Sequence, residues 1–252
     1  MRNHLPTPPR PRARAPSHRF ESSGWSQIIS ALAKEQAFGE VLIENLPFLF
    51  EGYRNTIKLV ALAFAASLLV GTVVAVLRLA PLPVVPKLAR VEVEIFRNTP
   101  LVVQMGFLIF GLGSVGLRLR PFTAAAIALT LYTGAYVTEV VRAGISSVGP
   151  GQLEAARSLG MGFGQVMRLV LLPQALRTVI PPLGNLMIAM VKNSAIAAAI
   201  AYPELLYQSD ILESRTFRTF EIFTGTLIGF LSITIPLSFV VSRLERRMRI
   251  AR

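Results

Sequence analysis

The sequence predicts an all-α integral membrane protein with about five transmembrane helices. Three observations predict it. Of the 252 residues, 52% are hydrophobic and only 16% charged, well below the roughly 25% charge of an ordinary soluble domain. The apolar residues gather in five runs, each near the ~20 residues that ~30 Å of hydrocarbon requires. The basic excess, a net charge of +12, falls beside those runs, as in the cytoplasmic loops of membrane proteins. A nucleic-acid surface would instead gather its basic residues on one patch. The lipid bilayer is therefore an expected partner and nucleic acid is not.

Residues 1–50 form an N-terminal tail. Positions 1–20 are rich in Pro and Arg and lack the apolar centre of a signal peptide. They read as a disordered tail or as sequence upstream of the true start. Positions 21–52 carry Glu21, Glu35, Glu40, Glu44 and Glu51 against the single Lys34 and suit an interfacial helix. A transmembrane domain follows over 51–245, with spans near 57–79, 99–117, 122–144, 177–201 and 221–242. The second starts with Pro100, and the fourth is interrupted by Pro181, Pro182, Gly184, Asn185 and Lys192. Residues 246–252 are a short C-terminal tail.

Orientation follows from Lys and Arg near the span ends. Arg78, Lys87, Arg90 and Arg97 follow span one, Arg142, Arg157 and Arg168 follow span three, and Arg243, Arg246, Arg247, Arg249 and Arg252 close the chain. With five spans all three groups share one side, which places the C-terminus in the cytoplasm and the N-terminus outside.

The sequence argues against several chemistries. Without cysteine there is no disulfide or thiolate metal site. The only histidines, His4 and His18, lie in the tail. No phosphate loop of the GxxxxGK[ST] type is present, and no convergent acid, base or metal cluster marks an enzyme.

The segment 145–176, on the cytoplasmic side, reads as two short helices. Pro150 and Gly151 open the first, with Leu153, Ala156 and Leu159 on one apolar face and Glu154, Arg157 and Ser158 off it. Ala155 and Ala156 keep the surface low. Gly160 is placed to end the helix in a left-handed conformation. Phe163, Val166, Met167, Val170 and Leu171 form a second apolar stripe, and Pro173 is expected to break the run before span four. The segment suits an amphipathic loop on the membrane or a docking site for another protein, and the residues alone favour neither.

Glu154-Ala155-Ala156, then Gly160, then Leu172-Pro173 resembles the EAA signature of bacterial ATP-binding-cassette (ABC) importer permeases. Three further stretches are similar to the polar amino-acid uptake branch of that family. FRNTPLVVQ (96–104) resembles its FRGTPLLVQ, with Asn98 for the usual Gly. AYVTEVVRAGI (135–145) resembles AYxxExxRGGI, with Ala143 for Gly. LPQALRTVIPPLGNLMIAMVKNSAI (172–196) resembles LPQAxRxxxPPxxNxxIxxxKxTSL, with Ser194-Ala195 for Thr-Ser. The resemblance covers about 50–245 and implies a type I ABC importer permease of the bacterial inner membrane. It implies a coupling helix formed by Glu154, Ala155, Ala156, Leu159, Gly160 and Met161 that docks on a separate ATPase. It also implies two ATPase subunits holding ATP and Mg, a second permease copy or paralogue, and an extracytoplasmic amino-acid-binding protein. This chain itself would hold no cofactor and no metal.

Candidates for the translocation path are Thr99 and Gln104 at the start of span two and Asn185, Lys192 and Ser194 on span four. Lys192 is costly at membrane depth and so suggests function; pairing with Glu139 or snorkelling explains it equally. Pro181 and Pro182 could expose carbonyls to a substrate ammonium or simply kink the span. Glu139 and Arg142, three apart, suit an ion pair near the cytoplasmic face. An ion-gradient-driven transporter is the rival reading, but internal repeats and mid-span carboxylates, its usual marks, are not evident.

Overall fold

The structure, a computed structural model, describes residues 39–248, and no strand occurs among them. The expected tail at 1–20 and most of the expected interfacial helix lie outside the described residues. The long apolar helices all belong to the unit that begins at Val41.

Helix α1, Leu46–Arg78, has Pro47 in its first turn, where a missing amide costs nothing. It begins eleven positions before residue 57, the expected start of span one, because Pro47 opens the helix upstream of the apolar run. Its 33 residues rise to roughly 50 Å, longer than a bilayer core, so the turns bearing Glu51 and Arg54 extend beyond the apolar run.

The segment after α1, expected to be a loop, contains helix α2, Val85–Asn98. Pro86 opens it, and its buried face is only Ala89 and Val93. Helix α3, Leu101–Ser114, follows at a bend of 103°. Span two is therefore not straight: α2 and α3 form one bent pair. Pro100 causes the break, since the residue before a proline is pushed out of helical geometry, and Thr99 is extended at φ −99° and ψ 131°. A π-helical turn, Phe107–Gly111, lies within α3.

Helix α4, Pro121–Ser146, packs chiefly on α1. The approach is close enough that a Cβ on Gly71 would lie 2.6 Å from the carbonyl oxygen of Gly134. Thr138 Oγ1, fully buried, donates to the Gly71 and Gly134 carbonyls at 3.0 Å each. Small residues with a hydroxyl bridge are the usual means of joining helices in lipid, where apolar surface alone supplies no contrast.

Helix α5, Pro150–Ser158, leads to the 38-residue α6, Phe163–Ile200. Pro173 does not break α6, contrary to expectation. A π-helical segment, Val166–Leu171, precedes it, and the Leu172 amide donates to Met167 O, five residues back; this wider turn admits the proline ring. The helix also runs through Pro181 and Pro182 and tightens to 3₁₀ geometry over Ser194–Ile200. Helix α7, Leu205–Thr216, lies between the expected spans four and five, and α8, Thr219–Met248, closes the described chain. Among the described residues four helices (α1, α4, α6, α8) are long and apolar enough to cross a membrane, five crossings if the bent pair counts as one. Leu59 and Ala63 of α1, Met105 of α3, Leu129 of α4 and Met190 and Ala197 of α6 form the main core.

Candidate coupling segment and polar interior

Helix α5 starts at Pro150 after an extended Gly149 and ends in a left-handed turn at Gly160, φ +78°. The Gly160 amide donates to Arg157 O at 2.9 Å and the Met161 amide to Ala156 O at 3.2 Å. This pair of bonds is the Schellman closure that glycine favours. The expected apolar face of α5 divides. Ala156 is buried and Leu153 packs against Val148, Leu171 and Ala175, whereas Leu159 is 82% exposed. The helix stops at Ser158, so Leu159 falls beyond the last turn and leaves the packed face. Glu154 and Ala155 are exposed, Met161 is half-buried, and Phe163 is 77% exposed. Beside them Gly162, Gly164, Gln165, Arg168 and Leu169 line an open groove of ≈ 550 Å³.

The attachment of α5 to the spans is slight. Gln174 Nε2 of α6 donates to Gln152 Oε1 of α5 at 3.4 Å, and Ser147 Oγ, in the link between α4 and α5, donates to Thr178 Oγ1 of α6 at 3.3 Å. The patch of Val148, Leu171 and Ala175 supplies the rest. A push on α5 thus reaches the end of α4 directly through the chain and α6 through this patch.

Glu139 is the centre of the polar interior. It accepts from Arg142 Nε at 3.1 Å and Nη2 at 2.8 Å, forming the expected i,i+3 pair. It also pairs with Arg78 of α1, and Arg97 of α2 stands 4.0 Å away. Arg97 in turn lies 5.2 Å from the Tyr136 ring centroid. Lys192 is exposed and makes no hydrogen bond or ion pair among the described residues. The suggested pairing of Lys192 with Glu139 is thus replaced by arginines from three helices.

The path candidates separate into three groups. Asn185 and Lys192 are exposed along α6. Gln104 is buried and donates from Nε2 to Phe96 O at 2.9 Å and Thr99 O at 3.0 Å. Gln104 and Thr99 therefore brace the bend, because those two carbonyls lose their helical donors there. Ser194 is fully buried and donates to Val191 O at 2.7 Å. A cavity of ≈ 120 Å³ between α4 and α6 is lined by Tyr132, Thr133, Tyr136 and Asn193 among others. Sequence reasoning misses it, although two tyrosines four apart in an aliphatic span are a visible signal.

At another corner, Glu204 is fully buried and caps α7, accepting from Leu206 N at 3.0 Å and Tyr207 N at 2.7 Å. Burial pushes its carboxyl up to about 7, outweighing the two amide bonds that favour the anion. Thr56 Oγ1 accepts from Leu205 N at 3.1 Å, Asn55 Nδ2 donates to Pro203 O at 2.9 Å, and Tyr202 Oη donates to Asn55 O at 3.2 Å. No group of three or more metal-ligating side chains occurs among the described residues.

The model of a family described as binding-protein-dependent transport system inner membrane component matches residues 67–250. The probable glutamine ABC transporter permease protein GlnM of Bacillus subtilis (strain 168) is 41% identical over 208 residues, 82% of this chain and 96% of that protein. The glutamine transport system permease protein GlnP of Escherichia coli (strain K12) is 36% identical over 207 residues, 81% of this chain and 94% of that protein. Among solved structures, that of an amino acid ABC transporter with histidines superposes with a TM-score of 0.78 at 38% identity, covering 82% of this chain and 96% of that one.

Proposed function

The chain belongs to the family of binding-protein-dependent transport system inner membrane components, and on that premise we propose that it carries a polar amino acid, glutamine first, across the bacterial inner membrane. It is a membrane-spanning permease subunit of an ATP-driven ABC importer; the relatives are ABC permeases rather than ion-gradient-driven carriers. The observation that carries the mechanism is α5, a short exposed helix closed by Gly160 and joined to both α4 and α6.

Two ATPase subunits, each holding ATP and Mg, receive α5 and its neighbours Glu154, Ala155, Ala156, Leu159, Gly160 and Met161. Their closure displaces α5, and the displacement enters α4 and α6. Those helices enclose the cavity of Tyr132, Tyr136 and Asn193, which together with Asn185 and Lys192 forms the polar path. Thr99, Gln104 and Ser194 shape that path from behind. An extracytoplasmic binding protein delivers the amino acid, and a second permease copy or paralogue completes the channel. The N-terminus lies outside and the C-terminus in the cytoplasm. Hydrolysis belongs to the ATPase, and this chain performs no catalysis and holds no cofactor.

The test is uptake into proteoliposomes holding this chain, its ATPase and its binding protein, with labelled glutamine, glutamate, arginine, histidine and leucine. ATP-dependent glutamine uptake supports the assignment. Uptake of leucine alone contradicts the polar cargo.

A further inference from the structure

Donors and acceptors are shared unequally where α1, α2 and α4 meet. Glu139 has two bonds from Arg142, a pairing with Arg78 and Arg97 at 4.0 Å. Glu92, on α2, has a buried Oε2 with no hydrogen-bond partner among the described residues, yet it lies within electrostatic reach of Arg78. The Arg78 side chain is only 10% exposed, so it has little access to water, and in this state it bonds Glu139 and makes no bond or ion pair to Glu92 among the described residues. A buried carboxylate oxygen without a donor destabilises a fold, whereas Glu139 would stay paired through Arg142 if Arg78 left. The two arrangements, Arg78 on Glu139 or on Glu92, therefore differ by the exchange of one strong contact. Discrete alternatives of this kind are what packed helices use to switch.

We propose that Glu92 is a positioning residue of the transport cycle, a second acceptor that takes Arg78 from Glu139 when α4 shifts against α1. The inference rests on the reading of the chain as an importer subunit driven through α5. Helix α4 continues past Glu139 to its end at Ser146, three residues before Gly149 and the start of α5. Movement of α5 draws the end of α4 away from Arg78, which lies at the last turn of α1. Glu92, on the third helix, receives the guanidinium, so no unpaired cation is left in the interior. Without the Glu92 carboxylate the displaced arginine has no anionic acceptor, and the switched state becomes costly while the resting state is untouched.

The experiment uses the assembled transporter with its ATPase and binding protein. Glu92→Gln removes the unpaired charge and keeps the shape. The expected result is an unchanged or raised Tm, with the maximal uptake rate down roughly tenfold, a usual size for a lost coupling contact. Half-saturation by the loaded binding protein should stay constant, and Glu92→Asp should recover part of the rate. Wild-type uptake at full rate in Glu92→Gln overturns the inference, and so does a loss of uptake that follows a fall in Tm. Wild-type complex in the same preparation tests the importer reading separately. If it moves no amino acid, binding-protein-stimulated ATP hydrolysis becomes the rate compared between wild type and Glu92→Gln, with the same two outcomes.

Discussion

The corner at Tyr202–Leu205 and the corner at α5 are built in opposite ways. At the first, Asn55 and Thr56 of α1 bond to Pro203 and Leu205, Tyr202 bonds back to Asn55, and buried Glu204 holds the first turn of α7. At the second, one side-chain bond of 3.4 Å reaches a mostly exposed helix, another of 3.3 Å holds the link before it, and one small apolar patch completes the contact. Local stability tracks such differences in burial and bonding. One end of the molecule is pinned and the other is free to be pushed, and a lever needs both.

The largest expected effects come from breaking the free end. Gly160→Pro forces φ near −65° where the chain sits at +78°, and Glu154→Lys reverses the charge on an exposed face of α5. Both variants should reach the membrane in normal amount and lose uptake completely. Normal uptake by both would remove α5 from the coupling path.

Filling the contact between α1 and α4 should cost stability rather than coupling. Gly71→Ala places a Cβ 2.6 Å from backbone, and overpacking of this kind costs about 1–3 kcal/mol. A fall in Tm measured on the purified chain checks it.

The pinned corner should respond to pH. The Glu204 carboxyl is raised in the folded protein from an ordinary 4.5 to about 7. Below 4.5 it is neutral in both folded and unfolded chains and carries no penalty. As pH rises through this window the unfolded chain ionises first, so the folded state loses stability progressively and reaches the full penalty above about 7. Thermal melts should show this slope between those two values, and Glu204→Gln should flatten it. The smallest effect is at Ala201, which holds φ +56°. Ala201→Gly removes left-handed strain of about 1 kcal/mol and should raise Tm slightly.

Local patterns are legible in the sequence; distant pairings are not. The apolar runs mark the spans, Gly160 marks the left-handed turn, and the three-residue spacing marks the Glu139–Arg142 pair. Helix α2 is hidden because Pro81, Pro83 and Pro86 crowd its start and its buried face is two residues wide. Pro173 looks like a stop because a π turn has no simple composition signal. The Arg78 contact to Glu139 spans 61 positions and the Thr56 contact to Leu205 spans 149. No periodicity within one helix can report either. Gln104 shows its polarity but not its use, since the carbonyls it satisfies become free only once the chain bends at Pro100.

The most direct measurement is amide hydrogen exchange on the assembled transporter, at rest and with the ATPase held closed around ATP. Coupling through α5 predicts altered protection over residues 147–171 and constant protection over 202–208. Altered protection at Tyr202–Gln208 with residues 147–171 unchanged would contradict it, because the pinned corner would then be the end that moves.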